Sequence, residues 1–458
     1  MASKFQKVLR GDGMKARTLR GTALSVLGFG GSQFIRLASN LVLTRLLFPE
    51  VFGLMALIQV FIVGLGMFSD MSINQAIIQS KRGEEPAFLN TGWTIQIIRG
   101  LVLWILACLL AAPVAEFYGQ ESIKEILPIV ALSTIIGGFK STKMPLANRN
   151  LLLGRYTFVE LGGQIIGTIV MILAAWSLRS VWALVIGSLT IFSFTTIFSH
   201  LLLPGPRNRV QWDKPAFWEY FHFGKFLFFS TIAGFFVQQG DRLVLGKFVS
   251  LEDLAVFTIA FLFGNLALTL NYQINQRILL PLYRKRPPAD SDNNYKQIAR
   301  VRFGLVTGFL SVTALLAFGG ELLIEILYDS RYYAAGPLLV LLSLSIMPSL
   351  VGNGYKQILL ANGNSRDFMT LTAFSAVTRI SLLVILIPQF GIVGAILAPF
   401  LVDLMSYPLI VHFSRRYRGW YPGMDIGLLV LCTGIAALAL WLSPSAAEQL
   451  LTPLGWTF

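Results

Sequence analysis

The sequence predicts an all-α polytopic membrane protein. Two parallel six-helix bundles are related by a pseudo-twofold axis along the membrane normal, with one or two further helices at the C-terminus. Three observations lead there. Of 458 residues, 55% are hydrophobic and 13% charged, where soluble domains carry about 25% charged residues. The apolar residues gather in runs of about 20, the length a bilayer-crossing helix needs. The two halves of the chain also repeat short stretches of one another in the same order.

Taken in order, the spans are read at 22–47, 51–69, 90–112, 126–146, 156–176, 181–203, 223–248, 254–274, 302–322, 335–358, 368–388, 392–412 and 425–443. The runs are too long for strands and do not alternate in polarity. Such a set uses about 260 residues, which leaves no room for a large extramembrane catalytic domain. The stretch 1–21 is polar and basic, unlike a cleavable signal, and reads as a cytoplasmic N-terminus. An N-lobe (22–203, spans 1–6) precedes a charged, Pro-containing cytoplasmic linker (204–222). A C-lobe (223–413, spans 7–12) follows, then an extension (414–458) carrying span 13, of which 448–458 is too short for a full fourteenth span.

The formal charge of +14 comes from 37 Lys+Arg and 23 Asp+Glu. In a soluble chain that would suggest nucleic acid; here it reports topology. With the N-terminus inside, and residues toward either end of a span counted with that side, 28 of the 37 basic residues are cytoplasmic, five lie on the opposite side and four well inside spans. That is the asymmetry expected of cytoplasmic loops. No nucleic-acid partner is implied. Cys108 and Cys432 lie in apolar runs, so neither a disulfide framework nor a metal site is expected.

The repeat is visible as LVLTRLLFPE (41–50) against LVLGKFVSLE (243–252), INQAI (73–77) against INQRI (274–278), and LANRN (146–150) against LANGN (360–364). Each half holds six spans, an even number, so both enter from the same side and are parallel. Parallel repeats are an architecture of alternating-access transporters.

The stretch RLASNLVLTRLLFPEVFGL (36–54) resembles the first helix and turn of Wzx-type polysaccharide transporters, members of the MOP superfamily that also contains the MATE exporters. The stretch EILYDSRYYAAGPLLV (325–340) is similar to the loop before their tenth helix. The likeness covers most of 20–415. It implies a MATE/MOP-like fold and a flippase rather than an enzyme. Such a protein moves undecaprenyl-pyrophosphate-linked oligosaccharide repeat units across the bacterial inner membrane for exopolysaccharide, capsule or O-antigen (lipopolysaccharide) export. Its implied partners are the lipid-linked oligosaccharide, membrane lipids, a coupling H+ or Na+, and other polysaccharide assembly proteins. No cofactor is implied. One alternative is an ion-coupled multidrug or small-metabolite exporter of the same superfamily. Another is a membrane-embedded polysaccharide polymerase or ligase, which needs a larger outer loop than any here.

Charges inside spans are costly, about 2.5–3.5 kcal/mol each on insertion scales, and are functional candidates for that reason. Arg36, Arg99 and Arg379 fall near mid-span, and Arg242 in span 7. Their guanidinium groups suit a pyrophosphate, which they can grip bidentately without losing charge. A structural ion pair is the competing role, most directly Arg379 with Asp403 on the next span. Asp241 and Asp403 are the candidate ion-coupling carboxylates. Glu160 and Asp70 read as solvated, near the interface. Asn40, Gln96, Gln164, Gln238, Gln239, Asn265 and Asn271 suit either sugar hydroxyls or helix-to-helix bonding. The ring-rich stretch Phe221, Phe223, Phe226, Phe228 and Phe229 reads as lipid-facing. The motif GGFKST (137–142) departs from a phosphate-binding loop, because Phe139 separates Gly from Lys and the upstream Gly is missing.

Overall fold

A computed structural model describes residues 14–69 and 72–451, without the side chains of 14–27, 225–230 and 233. Residues 1–13 of the basic N-terminus, Asp70, the rings of Phe226, Phe228 and Phe229, and 452–458 of the extension lie outside the described residues. The chain is 86% helical, with no strand among the described residues. Among those residues, nine helices are long and apolar enough to cross a membrane, or ten if one bent pair forms a single span.

The first compact unit is Met1–Phe235. It contains α1 (Met14–Leu46), α2 (Pro49–Phe68), the short α3 (Ile73–Gln79), α4 (Pro86–Tyr118), the three pieces α5 (Ser122–Val130), α6 (Leu132–Gly138) and α7 (Lys143–Arg149), then α8 (Leu153–Leu178) and α9 (Trp182–Leu201). The fourth predicted span is thus a broken helix, bent by 57° between α6 and α7. Pro128 and Pro145 sit inside its pieces, where each removes a backbone donor.

The second unit is Phe236–Phe458. After α10 (Lys214–Phe248), which begins in the first unit, come α11 (Leu251–Lys285), α12 (Asp292–Leu327), α13 (Ala335–Ser345), α14 (Met347–Ala361), α15 (Ser365–Arg415), α16 (Pro422–Leu442) and α17 (Pro444–Leu451). The 51 residues of α15 would reach about 76 Å if straight, over twice the hydrocarbon thickness. It is a hairpin instead. Gly391 takes φ 56°, ψ −131°, a conformation open to glycine and costly for other residues. Ser375 Oγ and Ser406 Oγ, on opposite sides of that bend, meet at 3.1 Å. Predicted spans 11 and 12 are its two arms.

The internal repeat is carried into three dimensions. The breaks α1/α2 and α10/α11 occur at equivalent positions, Leu46–Pro49 and Phe248–Leu251. The fourth span is broken in both halves, in the second at Ile346 between α13 and α14.

Two predicted loops are shorter than expected. The linker 204–222 already contains the start of α10 at Lys214, and 275–301 is mostly helix, leaving 286–291 as the connection. Both helices run past their apolar stretch into polar sequence, where composition no longer marks them. What remains of the linker is fastened to the first unit. Thr94 Oγ1 donates to the Gln211 carbonyl at 3.0 Å, Asn90 Nδ2 to Gln211 Oε1 at 2.9 Å, and the Asp213 amide to Thr91 Oγ1 at 2.9 Å. The linker therefore belongs with α4.

Candidate functional site

In the first unit, Arg99 on α4 is held in a defined orientation. Its Nε donates to Ser69 Oγ at 2.8 Å and its Nη2 to the Gly66 carbonyl at 2.5 Å. Gly66 lies in the last turn of α2, whose carbonyls lack intrahelical partners, and a cation there also complements the helix dipole. The helix end thus fixes the arginine, and the arginine satisfies the helix end.

Beside it opens a cavity of about 350 Å³ with Arg99, Gln96, Lys140, Thr134 and Tyr156 in its wall and, among the described residues, no Asp or Glu. Helix geometry makes the space. A Cβ at Gly100 would collide with the Thr134 carbonyl, and one at Gly138 with the Gln96 carbonyl, so α4 and α6 cross in backbone contact. Thr134 Oγ1 donates to the Gly100 carbonyl at 2.9 Å across that crossing. Immediately after it the chain breaks, and Lys140 sits in the break.

Arg36, on α1, is exposed and has no ion pair among the described residues. Of the uncharged polar candidates, Gln164 and Ser32 bond reciprocally, Ser32 Oγ to Gln164 Oε1 at 2.7 Å and Gln164 Nε2 to the Ser32 carbonyl at 3.0 Å. That is helix-to-helix bonding of α1 with α8. Gln96 differs: its Oε1 is buried without a hydrogen-bond partner.

In the second unit, Arg379 pairs with Asp241, Nη2 to Oδ2 at 3.4 Å, with 16% and 4% of the two side chains exposed. The carboxylate that Arg379 contacts is thus Asp241, where the competing role named Asp403. Asp403 instead accepts a hydrogen bond from Ser349 on α14. The Arg379–Asp241 contact is single and long, and Arg379 Nε and Asp241 Oδ1 are buried without hydrogen-bond partners. Arg242 points elsewhere, with its guanidinium 5.1 Å from the Phe261 ring centroid and 3.4 Å from Gln239 Oε1.

A third cluster escaped sequence reasoning. Arg302, counted above among the cytoplasmic basic residues, is fully buried on α12, as is Asp425 in the first turn of α16. Arg302 Nη2 lies 3.9 Å from Asp425 Oδ1 and donates to the Val351 carbonyl at 3.1 Å. Its guanidinium stacks 3.5 Å from the Tyr355 ring centroid. Tyr355 and Tyr407 hydroxyls both donate to Asp425 Oδ2 at 2.6 Å. The cluster fastens span 13 to the second unit. Its sequence signal was weak, because Arg302 stands at the edge of a basic run and Asp425 at the edge of an apolar one.

At the polar end of the first unit, Arg82 bridges Asp213 at 2.8 Å and Glu85 at 2.8 Å. Hydrogen bonding to Asp213 and then Glu85 holds its guanidinium pKa above the usual value.

These elements define a class: an all-helical, multi-pass membrane protein with an internal repeat and paired charges among its helices. Known structures share that fold. Over 94% of this chain and 97% of the other, it matches the lipid II flippase MurJ in its inward closed conformation, with a TM-score of 0.65 at 14% identity. It also matches an inward-facing multidrug resistance MATE family transporter of the MOP superfamily, with a TM-score of 0.61 at 14% identity over 84% of this chain and 94% of that one. A curated relative is the teichuronic acid biosynthesis protein TuaB of Bacillus subtilis, 22% identical over 309 residues, which is 65% of this chain and 61% of that protein. The profile of the polysaccharide biosynthesis protein family matches residues 42–337. The chain belongs to that family, as the motif at 36–54 led one to expect.

Proposed function

We propose that this protein flips undecaprenyl-pyrophosphate-linked oligosaccharide repeat units across the bacterial inner membrane by alternating access, with its N-terminus in the cytoplasm. On this reading it is a transporter that serves polysaccharide export and carries out no covalent chemistry. The observation that carries it is the cavity beside Arg99. It opens among membrane-length helices, with Arg99 and Lys140 in its wall and no carboxylate among the described residues that line it. A site for cationic drugs would need the opposite charge, so the same observation disfavours a multidrug exporter.

Arg36, Arg99, Arg242 and Arg379 are the proposed pyrophosphate contacts. Asp241 and Asp403 are the proposed carboxylates coupling the cycle to H+ or Na+. Arg379 then has two anionic partners available, Asp241 and the substrate.

The test is translocation of a fluorescent undecaprenyl-pyrophosphate saccharide in proteoliposomes, scored by accessibility of the sugar to an impermeant quencher. The proposal expects transfer above that of protein-free vesicles, lost in Arg99→Ala. Transfer no faster than in empty vesicles would refute it.

A further inference from the structure

We infer that the outward face of the linker and of the first turns of α10, from Arg207 to His222, is a binding surface for the anionic headgroups of membrane phospholipids. The inference does not depend on what the protein transports. The proposed orientation decides only which leaflet is bound, the cytoplasmic one.

Charge is sorted across this segment. It carries two acidic residues, Asp213 and Glu219, and both turn to the first unit. Asp213 Oδ2 accepts from Arg82 Nη2 at 2.8 Å. Glu219 accepts from the Ser80 hydroxyl and stands 3.9 Å from Arg82. The three cations turn the other way. Arg207, Arg209 and Lys214 are exposed, and none has an ion pair among the described residues. The outward face is therefore basic, although the segment as a whole is close to balanced.

The backbone that carries the cations is fixed. Asn208 accepts from Ser141 Oγ at 2.5 Å and donates to Thr142 Oγ1 at 2.6 Å, and the Arg209 amide donates to Asn90 Oδ1 at 3.0 Å. Their placement is set before any ligand arrives, which lowers the ordering cost of binding.

Rings accompany the cations. Lys214, Trp218, Phe221 and His222 share one helix face by their spacing, and all four are exposed, as are Val210 and Trp212. The opposite face holds the helix in this rotation. Ala216 and Tyr220 are buried with Ile77, Phe88 and Leu89. Tyr220 stacks on Phe88 at 4.3 Å and donates to its carbonyl at 3.1 Å. Trp218 meets both Phe221 and Phe217 at 5.6 Å, and Phe217 meets Trp212 at 4.9 Å, so the rings form one connected patch.

Depth and charge decide what covers that patch. Trp218 stands five residues before the predicted span at 223, about 7.5 Å along the helix. The headgroup layer is about 5–8 Å deep on each side of the hydrocarbon, and Trp favours that layer. A zwitterionic surface would use the rings and leave the cations idle, and so would an apolar protein partner. An anionic lipid surface uses both, and each cation near it is worth about fivefold in affinity.

The experiment reconstitutes the full-length protein in nanodiscs that mix phosphatidylcholine with phosphatidylglycerol. One lipid or the other is brominated near the headgroup end of its chains, and tryptophan quenching is read. The signal of Trp218 is the difference between wild type and Trp218→Phe, which keeps a ring on the patch. Brominated phosphatidylglycerol should quench Trp218 at a mole fraction about fivefold or more below that needed with brominated phosphatidylcholine. Arg207→Gln and Arg209→Gln should each reduce that preference. Combining both with Lys214→Gln should abolish it and leave quenching by brominated phosphatidylcholine in place. High salt should act as the triple variant does, and Lys285→Gln should change nothing.

Trp218 quenched by neither lipid overturns the inference and points to a protein partner or to water over the patch. Equal quenching by the two lipids in wild type overturns the choice of anionic headgroups, as does a preference that survives in the triple variant. No reading involves transport, so a failed flippase proposal leaves this result untouched. Normal transport by protein whose Trp218 is unquenched sinks this surface alone.

Discussion

Removing one member of the Arg302–Asp425 pair should unfasten span 13. Both side chains are fully buried, and the pair is imperfect, at 3.9 Å, with Arg302 Nε and Nη1 and Asp425 Oδ1 lacking hydrogen bonds. Such a pair adds little net stability compared with apolar side chains, but breaking it strands a buried charge at about 3–5 kcal/mol. For Asp425→Ala the stranded group is the Arg302 guanidinium, and the Tyr355 and Tyr407 hydroxyls lose their shared acceptor as well. For a cooperative unit the size of Phe236–Phe458, about 2–4 °C is lost per kcal/mol, so the apparent Tm should fall by about 6–20 °C. Asp425→Asn keeps an acceptor for the tyrosines and should lose less. The double variant Arg302→Met with Asp425→Leu carries no stranded charge and should recover part of the loss. The assay is thermal unfolding in one detergent at one scan rate, with limited proteolysis to locate the opening near 415–425. If Asp425→Ala shifts the Tm by under about 2 °C, or if the double variant is worse than either single one, the account of a stranded charge is wrong.

Four further outcomes are expected of this protein. Arg99→Lys should lose most export, about tenfold or more, because a point-charge ammonium lacks the planar fork that bonds Ser69 and Gly66 from separate nitrogens and leaves a further nitrogen over; export assays with membrane-level controls check it, alongside Arg36→Ala, expected to abolish export too. Arg379→Ala should destabilise more than Arg379→Ala combined with Asp241→Asn, since the second change neutralises the stranded carboxylate; unfolding of the two in parallel decides. In proteoliposomes, substrate-induced H+ or Na+ flux should fall in Asp241→Asn or Asp403→Asn, and normal flux in both would exclude ion coupling through either. Reporters fused after Lys285 and after Gln120 should score cytoplasmic and external, and a swapped result would invert the topology.

Much of the fold was legible because a membrane span leaves a strong signal: a long apolar run bounded by charge. The hairpin of α15 was read as two spans from length alone, and Gly391 marks the turn between them. The broken fourth helix was not read, though Gly137, Gly138 and Pro145 stood in the sequence, since the polar stretch 140–143 is short and apolar residues flank it on both sides. Helix ends failed for the opposite reason. Composition stops at the bilayer edge, but α11 and α12 continue to Lys285 and from Asp292 in polar sequence. The site was legible one residue at a time and not in its pairings. Arg379, Asp241 and Asp403 were all visible, yet which carboxylate faces Arg379 depends on how α10, α14 and the two arms of α15 rotate against one another. No spacing along the chain reports that.

That rotation sorts the intramembrane charges into two kinds with different expected behaviour. Arg302 is enclosed by Asp425, Val351 and an aromatic face, and Arg379 is tied to Asp241. In both, the cost of burying a cation is offset inside the protein, and a substrate would have to displace a partner to reach it. Lys140 is the contrasting case, a half-buried ammonium in a cavity wall with no ion pair among the described residues. A cation left so would normally be selected against on stability grounds, unless a ligand supplies the missing anion in part of the cycle. The two kinds therefore make opposed predictions. Neutralising a paired charge should lower stability first and transport as a consequence. Neutralising Lys140 should leave the Tm unchanged or slightly raised and remove anion binding. A Lys140→Gln variant that unfolds several degrees early, with pyrophosphate affinity intact, would place Lys140 among the structural charges after all.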